Sequence, residues 1–369
     1  MTTHEITWKY ILNQLVKHQN LSDTEVAWAM DQIMTGQTEQ PILASFLTAL
    51  HSKGETPEEL GALAAGMIAK AETVDIDPHA VDIVGTGGDQ QNTVNISTMA
   101  ALVIAGTGAT VVKHGNRAST SKSGSADVLE ALGIRLDMPI PAVAECAYET
   151  GITFLFAMTF HPAMRHVGPT RRLLGIPTAF NYLGPMTNPA RVKSSAIGVA
   201  NPVMAEKMAH VFAERGDHAL IFRGDDGLDE LTIATTSRLW EAVDGKLAEY
   251  RFDPTEYGLQ NAPLEQLRGG DAEYNAGVFR AILAGEGESP KSPLRAIHDA
   301  VLINAAAGLV AYRPTNGESF ETRFTQALAD ARESIASGAA ERVLNAWVEF
   351  SEKHAEDQGI SSQRREPRG

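Results

Sequence analysis

The chain has 369 residues, 43% hydrophobic and 21% charged, ordinary globular proportions that argue against extensive disorder. That length exceeds one compact core and points to two domains. A single cysteine, Cys146, excludes an internal disulfide and zinc sites built on two or more thiolates, and a net charge of −15 disfavours unaided binding to nucleic acid or anionic membrane. At the N-terminus Trp8 and Lys9 interrupt the apolar residues, so no signal peptide is expected. No stretch of about eighteen residues is free of polar groups, and the expectation is a soluble, cytoplasmic protein.

The first seventy or so residues read as four helices. Trp8, Ile11, Leu12 and Leu15 share one helical face. Ser22 with Glu25 and Thr56 with Glu59 are capping boxes, Pro41 suits a first turn, and Gly36 and Gly54 are stops. The expected helical domain is 1–74. From about Val74 short apolar runs alternate with helical patterns, as a parallel sheet with crossover helices requires. Strands are expected over 81–84, 110–112, 152–156, 196–199 and 219–222, and helices over 97–105, 126–132, 142–149, 203–214 and 274–283. Asp244-Gly245 joins a hairpin of 239–243 and 246–251, giving a mixed, mostly parallel sheet with an antiparallel edge. Residues 319–353 read as helix, closing an α/β domain of 75–353, and 354–369 as a polar tail. The fold class is therefore α/β, with a small all-helical N-terminal domain beside a larger α/β domain whose sheet is flanked by helices.

The chemistry gathers at strand ends. Val81–Val84 runs into Gly85-Thr86-Gly87-Gly88-Asp89, then Thr93, Asn95, Ser97 and Thr98 open an apolar helix. Glycines leaving a strand let backbone N–H groups approach an anion, and the next helix adds its positive end. A tight strand–helix connection is the bland alternative, and the Asn95-Ile96-Ser97 sequon carries no weight without secretion. After the next strand come Lys113-His114-Gly115-Asn116-Arg117, then Ala118 to Ser125 with Lys122. Three cations within ten positions of an acidic chain, mixed with hydroxyls and glycine, look like a phosphate receptor as against a solvated face. His114 reads as a hydrogen-bonding or core residue, with a general-base role as the alternative. Asp229-Glu230 closes the run Asp225-Asp226-Gly227-Leu228 after a strand. Its carboxylates suit Mg²⁺ brought in with a phosphorylated substrate, or are solvated turn acids. His161 and His166 are five apart, wrong for sharing a helix face, so no metal is expected there. Arg171 and Arg172 suit a substrate carboxylate or the surface. Residues 181–189, rich in turn formers, read as a shaped loop or hinge.

The motifs GTGGD and TVNIST, KHGNR and KSGSAD, HPAMR, GIPTAFN, LGPMTNPA and GDDGLDE occur in this order, and together they resemble the anthranilate phosphoribosyltransferases over about Trp8 to Tyr312. The resemblance implies transfer of a phosphoribosyl group from 5-phosphoribosyl 1-diphosphate to the amine of anthranilate, with Mg²⁺, in a homodimer. It implies that helices near 162–185 complete the helical domain, which is hinged to the larger one. It places Gly85, Gly88, Asp89, Thr93, Asn95, Thr98, Lys113, Asn116, Arg117, Ala118, Ser119, Thr120, Ser121 and Ser125 against the diphosphate donor. Ser97, Asp229 and Glu230 would meet the metal, and Gly85, His114, Asn116 and Arg171 anthranilate. Gln90 stands where the family commonly has glycine, and Met164 where some relatives have an aromatic residue. A pyrimidine nucleoside phosphorylase and a non-catalytic nucleic-acid-binding relative of the fold are the rival readings. The KHGNR loop, the acidic pair and the acidic chain disfavour them.

Overall fold

The structure, a computed structural model, describes residues 5–118 and 122–355. Four helices come first: α1 (Trp8–Val16), α2 (Asp23–Met34), α3 (Gln40–Lys53) and α4 (Pro57–Ile68). Both expected capping boxes are formed, at Ser22–Glu25 and Thr56–Glu59. Glu59 is nearly inaccessible, and its carboxylate accepts from Leu21 N–H at 2.8 Å and from Lys53 Nζ at 2.7 Å. One capping residue thus ties three helices. Ile11, Val26, Met30, Phe46, Leu60 and Leu63 form the apolar interior, which runs on through Val167, Phe180 and Leu183 to one face of the sheet at Ile197, Ile221 and Trp240.

The sheet follows: β1 (Val81–Gly85), α5 (Ile96–Gly106), β2 (Val111–Gly115), α6 (Ser125–Ala131), α7 (Ile140–Thr150) and β3 (Ile152–Phe156). An arm of short helices comes next, α8 (Ala157–Phe160), a 3₁₀ turn (Pro162–His166), α9 (Gly168–Leu174), α10 (Phe180–Leu183) and a second 3₁₀ turn (Gly184–Met186). The chain returns to the sheet through β4 (Ser194–Gly198), α11 (Pro202–Arg215), β5 (His218–Gly224), β6 (Ser237–Val243) and β7 (Lys246–Phe252). Four helices close it: α12 (Ala272–Leu283), α13 (Arg295–Tyr312), α14 (Phe320–Ala336) and α15 (Ala339–His354). The seven strands lie in the order β3-β2-β1-β4-β5-β6-β7, parallel through β5 and antiparallel at β6 and β7. The winding reverses between β1 and β4, and open α/β sheets hold ligands beyond the strand ends at such a reversal.

Three expectations need correction. Strand β2 runs on to Gly115, so Lys113 and His114 are buried strand residues and not part of an exposed loop. The helix expected over 319–353 is two helices, broken at Gly338 with φ +71°. Helix α13 was not expected: it is buried on every side from Ala296 to Ala311, so it lacks the polar face that creates a period. Cys146 lies inside α7, and burial pushes its thiol up to about 11. No helix among the described residues is long and apolar enough to cross a membrane.

Candidate active site

Glycines let a loop lie directly on the reversal point. A Cβ on Gly198, the last residue of β4, would sit 1.6 Å from the Asp229 carbonyl oxygen, and one on Gly85, the last of β1, 2.5 Å from Asp229 Oδ2. The Asp229-Glu230 segment therefore crosses the tips of both strands. Gly87 and Gly88 follow in the left-handed region at φ +72° and +86°, and Gly87 N–H donates to Asp229 Oδ2 at 2.6 Å. Glu230 Oε1 accepts from Ser97 N–H at 3.1 Å, in the first turn of α5 where the helix dipole favours negative charge. Lys113, in the middle of β2, donates through Nζ to the Ile83 carbonyl and to Ser97 Oγ, the latter at 3.4 Å. Two strand tips, a lysine from inside a third strand and one helix start thus meet in a single polar cluster.

Its electrostatics are unbalanced. Burial raises the Asp229 carboxyl well above its ordinary value, and the nearby Asp89 and Glu230 charges add to this. Burial also pushes Glu230 to about 7, although the Lys113 ammonium works the other way. Lys113 is lowered by burial, opposed by Asp82 and Glu230. Glu230 Oε2 is buried with no hydrogen-bond partner. A hard divalent cation between these two carboxylates would satisfy that oxygen and offset their repulsion. Among the described residues no group of three or more acidic, histidine or cysteine side chains is poised to hold a metal ion, but Mg²⁺ takes only one or two carboxylates when phosphate and water complete its shell.

Short polar groups surround the cluster. Thr98 Oγ1 donates to Ser125 Oγ at 3.2 Å, so the starts of α5 and α6 stand side by side. Asn95 donates to the Ser123 carbonyl at 3.1 Å and accepts from Asn275 of α12 at 2.9 Å, while Thr93 bridges to Arg268. Asp127 Oδ2 accepts from Ala118 N–H at 3.0 Å and from Gly124 N–H at 2.8 Å. Asn116 Oδ1 accepts from the next backbone N–H and its side chain is exposed. Arg117 is committed elsewhere, to Glu130 at 2.5 and 2.8 Å and to Asp127 at 3.0 Å. The structure does not bring Arg117 to Lys113; the acids of α6 take up its charge. Ser119, Thr120 and Ser121 lie outside the described residues.

A second group joins β2 to the arm. His114 Nδ1 lies 3.0 Å from the Gly184 carbonyl and His161 Nε2 2.9 Å from that of Thr187, with the rings 5.0 Å apart. Burial, aided by His161, pushes His114 down to about 3, so the ring is neutral. Its Nδ1 must then donate, leaving the buried, unpartnered Nε2 as an acceptor. So weak a base does not suit general-base work. Arg171 Nη2 donates to Asn181 Oδ1 at 3.2 Å, which holds the guanidinium on the arm. His166 packs on Gly36, at 2.7 Å from where a Cβ would sit.

Residues 9–71 match the helical bundle domain of a glycosyl transferase family, and residues 77–341 match its a/b domain. Over 342 residues the chain is 55% identical to the anthranilate phosphoribosyltransferase of Arthrobacter sp. (strain FB24), covering 93% of this chain and 95% of that one. It is 50% identical to the Rhodococcus jostii (strain RHA1) protein of the same name, covering 94% and 93%. The crystal structure of the Thermus thermophilus anthranilate phosphoribosyltransferase superposes with a TM-score of 0.84 at 40% identity, covering 93% of this chain and 99% of that one. The Saccharomyces cerevisiae enzyme in complex with PRPP and Mg superposes with a TM-score of 0.83 at 30% identity, covering 95% and 99%. The chain belongs to the anthranilate phosphoribosyltransferase family.

Gln90, which the resemblance sets where the family commonly has glycine, adopts φ +61°, a left-handed conformation that glycine takes without steric cost and that strains a glutamine locally. Met164 is half-buried on the apolar cluster of the helical bundle. Sequence reasoning missed Asp82, Asn188 and Asn275, all buried and all hydrogen-bonded at the margin of this site. A readable signal existed for Asp82, a carboxylate inside an apolar strand.

Proposed function

We propose that the strand-tip cluster is where this chain transfers the phosphoribosyl group of 5-phosphoribosyl 1-diphosphate to the amine of anthranilate. The products are N-(5-phosphoribosyl)anthranilate and diphosphate, the second step of tryptophan biosynthesis. The observation that carries the placement is the meeting of Gly87, Ser97, Lys113, Asp229 and Glu230 at the sheet's reversal point. Family membership supports the reaction, and the yeast relative's complex with PRPP and Mg supports both donor and metal. Asp229, Glu230 and Ser97 would hold Mg²⁺, which when bound supplies positive charge opposite the departing diphosphate.

The remaining residues bind and orient. Gly88 of the glycine turn, the Thr98 and Ser125 hydroxyls and Lys113 would meet the phosphates, because the Thr86, Gly87 and Ser97 N–H groups are already given to Gly198, Asp229 and Glu230. The net charge of −15 repels the donor only weakly, because screening sets in beyond roughly 8 Å while Lys113 acts at contact. His114 would line the anthranilate path, and its Nε2 would accept from the incoming amine, which as an aromatic amine is nucleophilic without a strong base. Arg171 is the partner for the anthranilate carboxylate. Positioning and leaving-group stabilisation therefore supply most of the rate.

The domain reading follows the same lines: residues 1–74 with the 162–185 arm as one unit, hinged to 75–353. Residues 356–369 of the expected tail lie outside the described residues. A homodimer is what the resemblance to the family implies. A cytoplasmic location suits a biosynthetic enzyme with one buried thiol. The test mixes protein with both substrates and Mg²⁺ and follows loss of anthranilate fluorescence. Loss that chelator abolishes is the expected result, and none with Mg²⁺ present would overturn the reading.

A further inference from the structure

The ladder between β1 and β2 stops early. Their registered pair is Val81 with Val111, whereas β1 pairs with β4 along its whole length. Beyond that pair the strands are stitched by side chains. Lys113 Nζ donates across to the Ile83 carbonyl, and His114 N–H donates to Asp82 Oδ1 at 3.1 Å. Asn188 Nδ2 donates to Asp82 Oδ2 at 2.9 Å and to the Val112 carbonyl at 2.8 Å. The Asn188 amide has one orientation, because its Oδ1 accepts from Ala190 N–H at 3.0 Å. Asp82, Lys113 and Asn188 are all buried. Asn188 also closes the segment whose Gly184 and Thr187 carbonyls face the two histidine rings.

A buried carboxylate and a buried amide, 106 positions apart, are costly unless both are satisfied, and here each satisfies the other. We propose that Asp82 and Asn188 are a positioning pair that sets the seat of Lys113 within β2 and ties it to the segment joining the arm to β4. The inference rests on the reading of Lys113 as a contact for the diphosphate donor.

The pair can be mismatched and re-matched. Asp82→Asn sets two amide donors against each other, and Asn188→Asp sets two carboxylates against each other. Asp82→Asn with Asn188→Asp restores one donor and one acceptor between the two side chains but turns a carboxylate oxygen toward the Val112 carbonyl, which Asn188 had satisfied. We expect each single change to raise the KM for 5-phosphoribosyl 1-diphosphate about tenfold, with kcat and the anthranilate KM moving less than about threefold. The double variant should recover part of that loss, the Val112 carbonyl staying unpaired, and even partial recovery is a pattern that general loosening of the fold does not give. Equal rises in both KM values, or a double variant no better than its worse parent, would overturn the pair. If the single variants do not fold, Asn188→Ala, which brings no like group into contact, decides between the outcomes: a KM for the diphosphate substrate about tenfold above the parent supports the pair, and one within about twofold overturns it. Lys113→Met is measured alongside. An unchanged donor KM there overturns the reading of Lys113 and the pair with it; a large rise there, with none in the pair variants, overturns the pair alone.

Discussion

Replacing Gly198 by alanine adds one methyl group where the structure leaves no room. Its Cβ would lie 1.6 Å from the Asp229 carbonyl oxygen and 2.3 Å from the carbonyl carbon, whereas ordinary contact begins at 3.4 Å. Both atoms are backbone, so no rotamer change relieves the clash, and the 229–230 segment must retreat by about 1.8 Å. That retreat draws Asp229 away from Gly87 N–H and Glu230 away from Ser97 N–H. Misplacement by about 1 Å costs catalysis on the order of a hundredfold, so kcat/KM should fall at least about that much, about 2.7 kcal/mol. Global stability should fall only about 1–3 kcal/mol, the usual cost of overpacking. The assay is anthranilate fluorescence loss across a Mg²⁺ titration, paired with a urea unfolding curve. Gly277→Ala is the control: nothing lies within 4 Å of its Cβ position, inside α12, so activity should hold and stability rise by about 0.5–1 kcal/mol. Gly198→Ala with activity within about threefold of the parent and an unshifted Mg²⁺ curve would refute the claim that this loop's seat on β4 builds the site.

Two further predictions concern stability. Glu241 is buried, and although burial alone would raise its pKa, hydrogen bonds from His218 and Arg323 hold it at about 2. Glu241→Gln strands the Arg323 guanidinium and should cost about 3 kcal/mol at neutral pH. The folded-state pKa is depressed, so the ion pair's contribution is complete above the ordinary 4.5 and lost as pH falls toward about 2; a penalty that stays constant across that window would contradict this. Gln90→Gly should stabilise by about 0.5–1 kcal/mol by removing a left-handed side-chain conformation, and a destabilisation in urea unfolding would count against strain at that turn.

Much of the site was legible because its parts are local. Capping boxes need residues three apart, and the glycine turn, the basic run and the Asp229-Glu230 pair are each contiguous. What escaped is relational. The partner of Asp82 is 106 positions away, and no period or motif links it to Asn188. Arg117 carries the charge of a phosphate ligand, yet two acids on the next helix, Asp127 and Glu130, are nearer. Lys113 looked like a loop cation, but side-chain stitching draws it into the strand and buries it. Helix α13 escaped for the opposite reason: an interior helix packed on all sides has no contrast between faces.

The central claim is that Asp229 and Glu230 hold the metal that accompanies the diphosphate. It is tested most directly by turnover against Mg²⁺ concentration in Asp229→Asn, Glu230→Gln and the parent. The half-saturating Mg²⁺ should rise about tenfold or more in each variant, since each removes one charged ligand from a site with only two. Three superimposable titration curves would place the metal elsewhere.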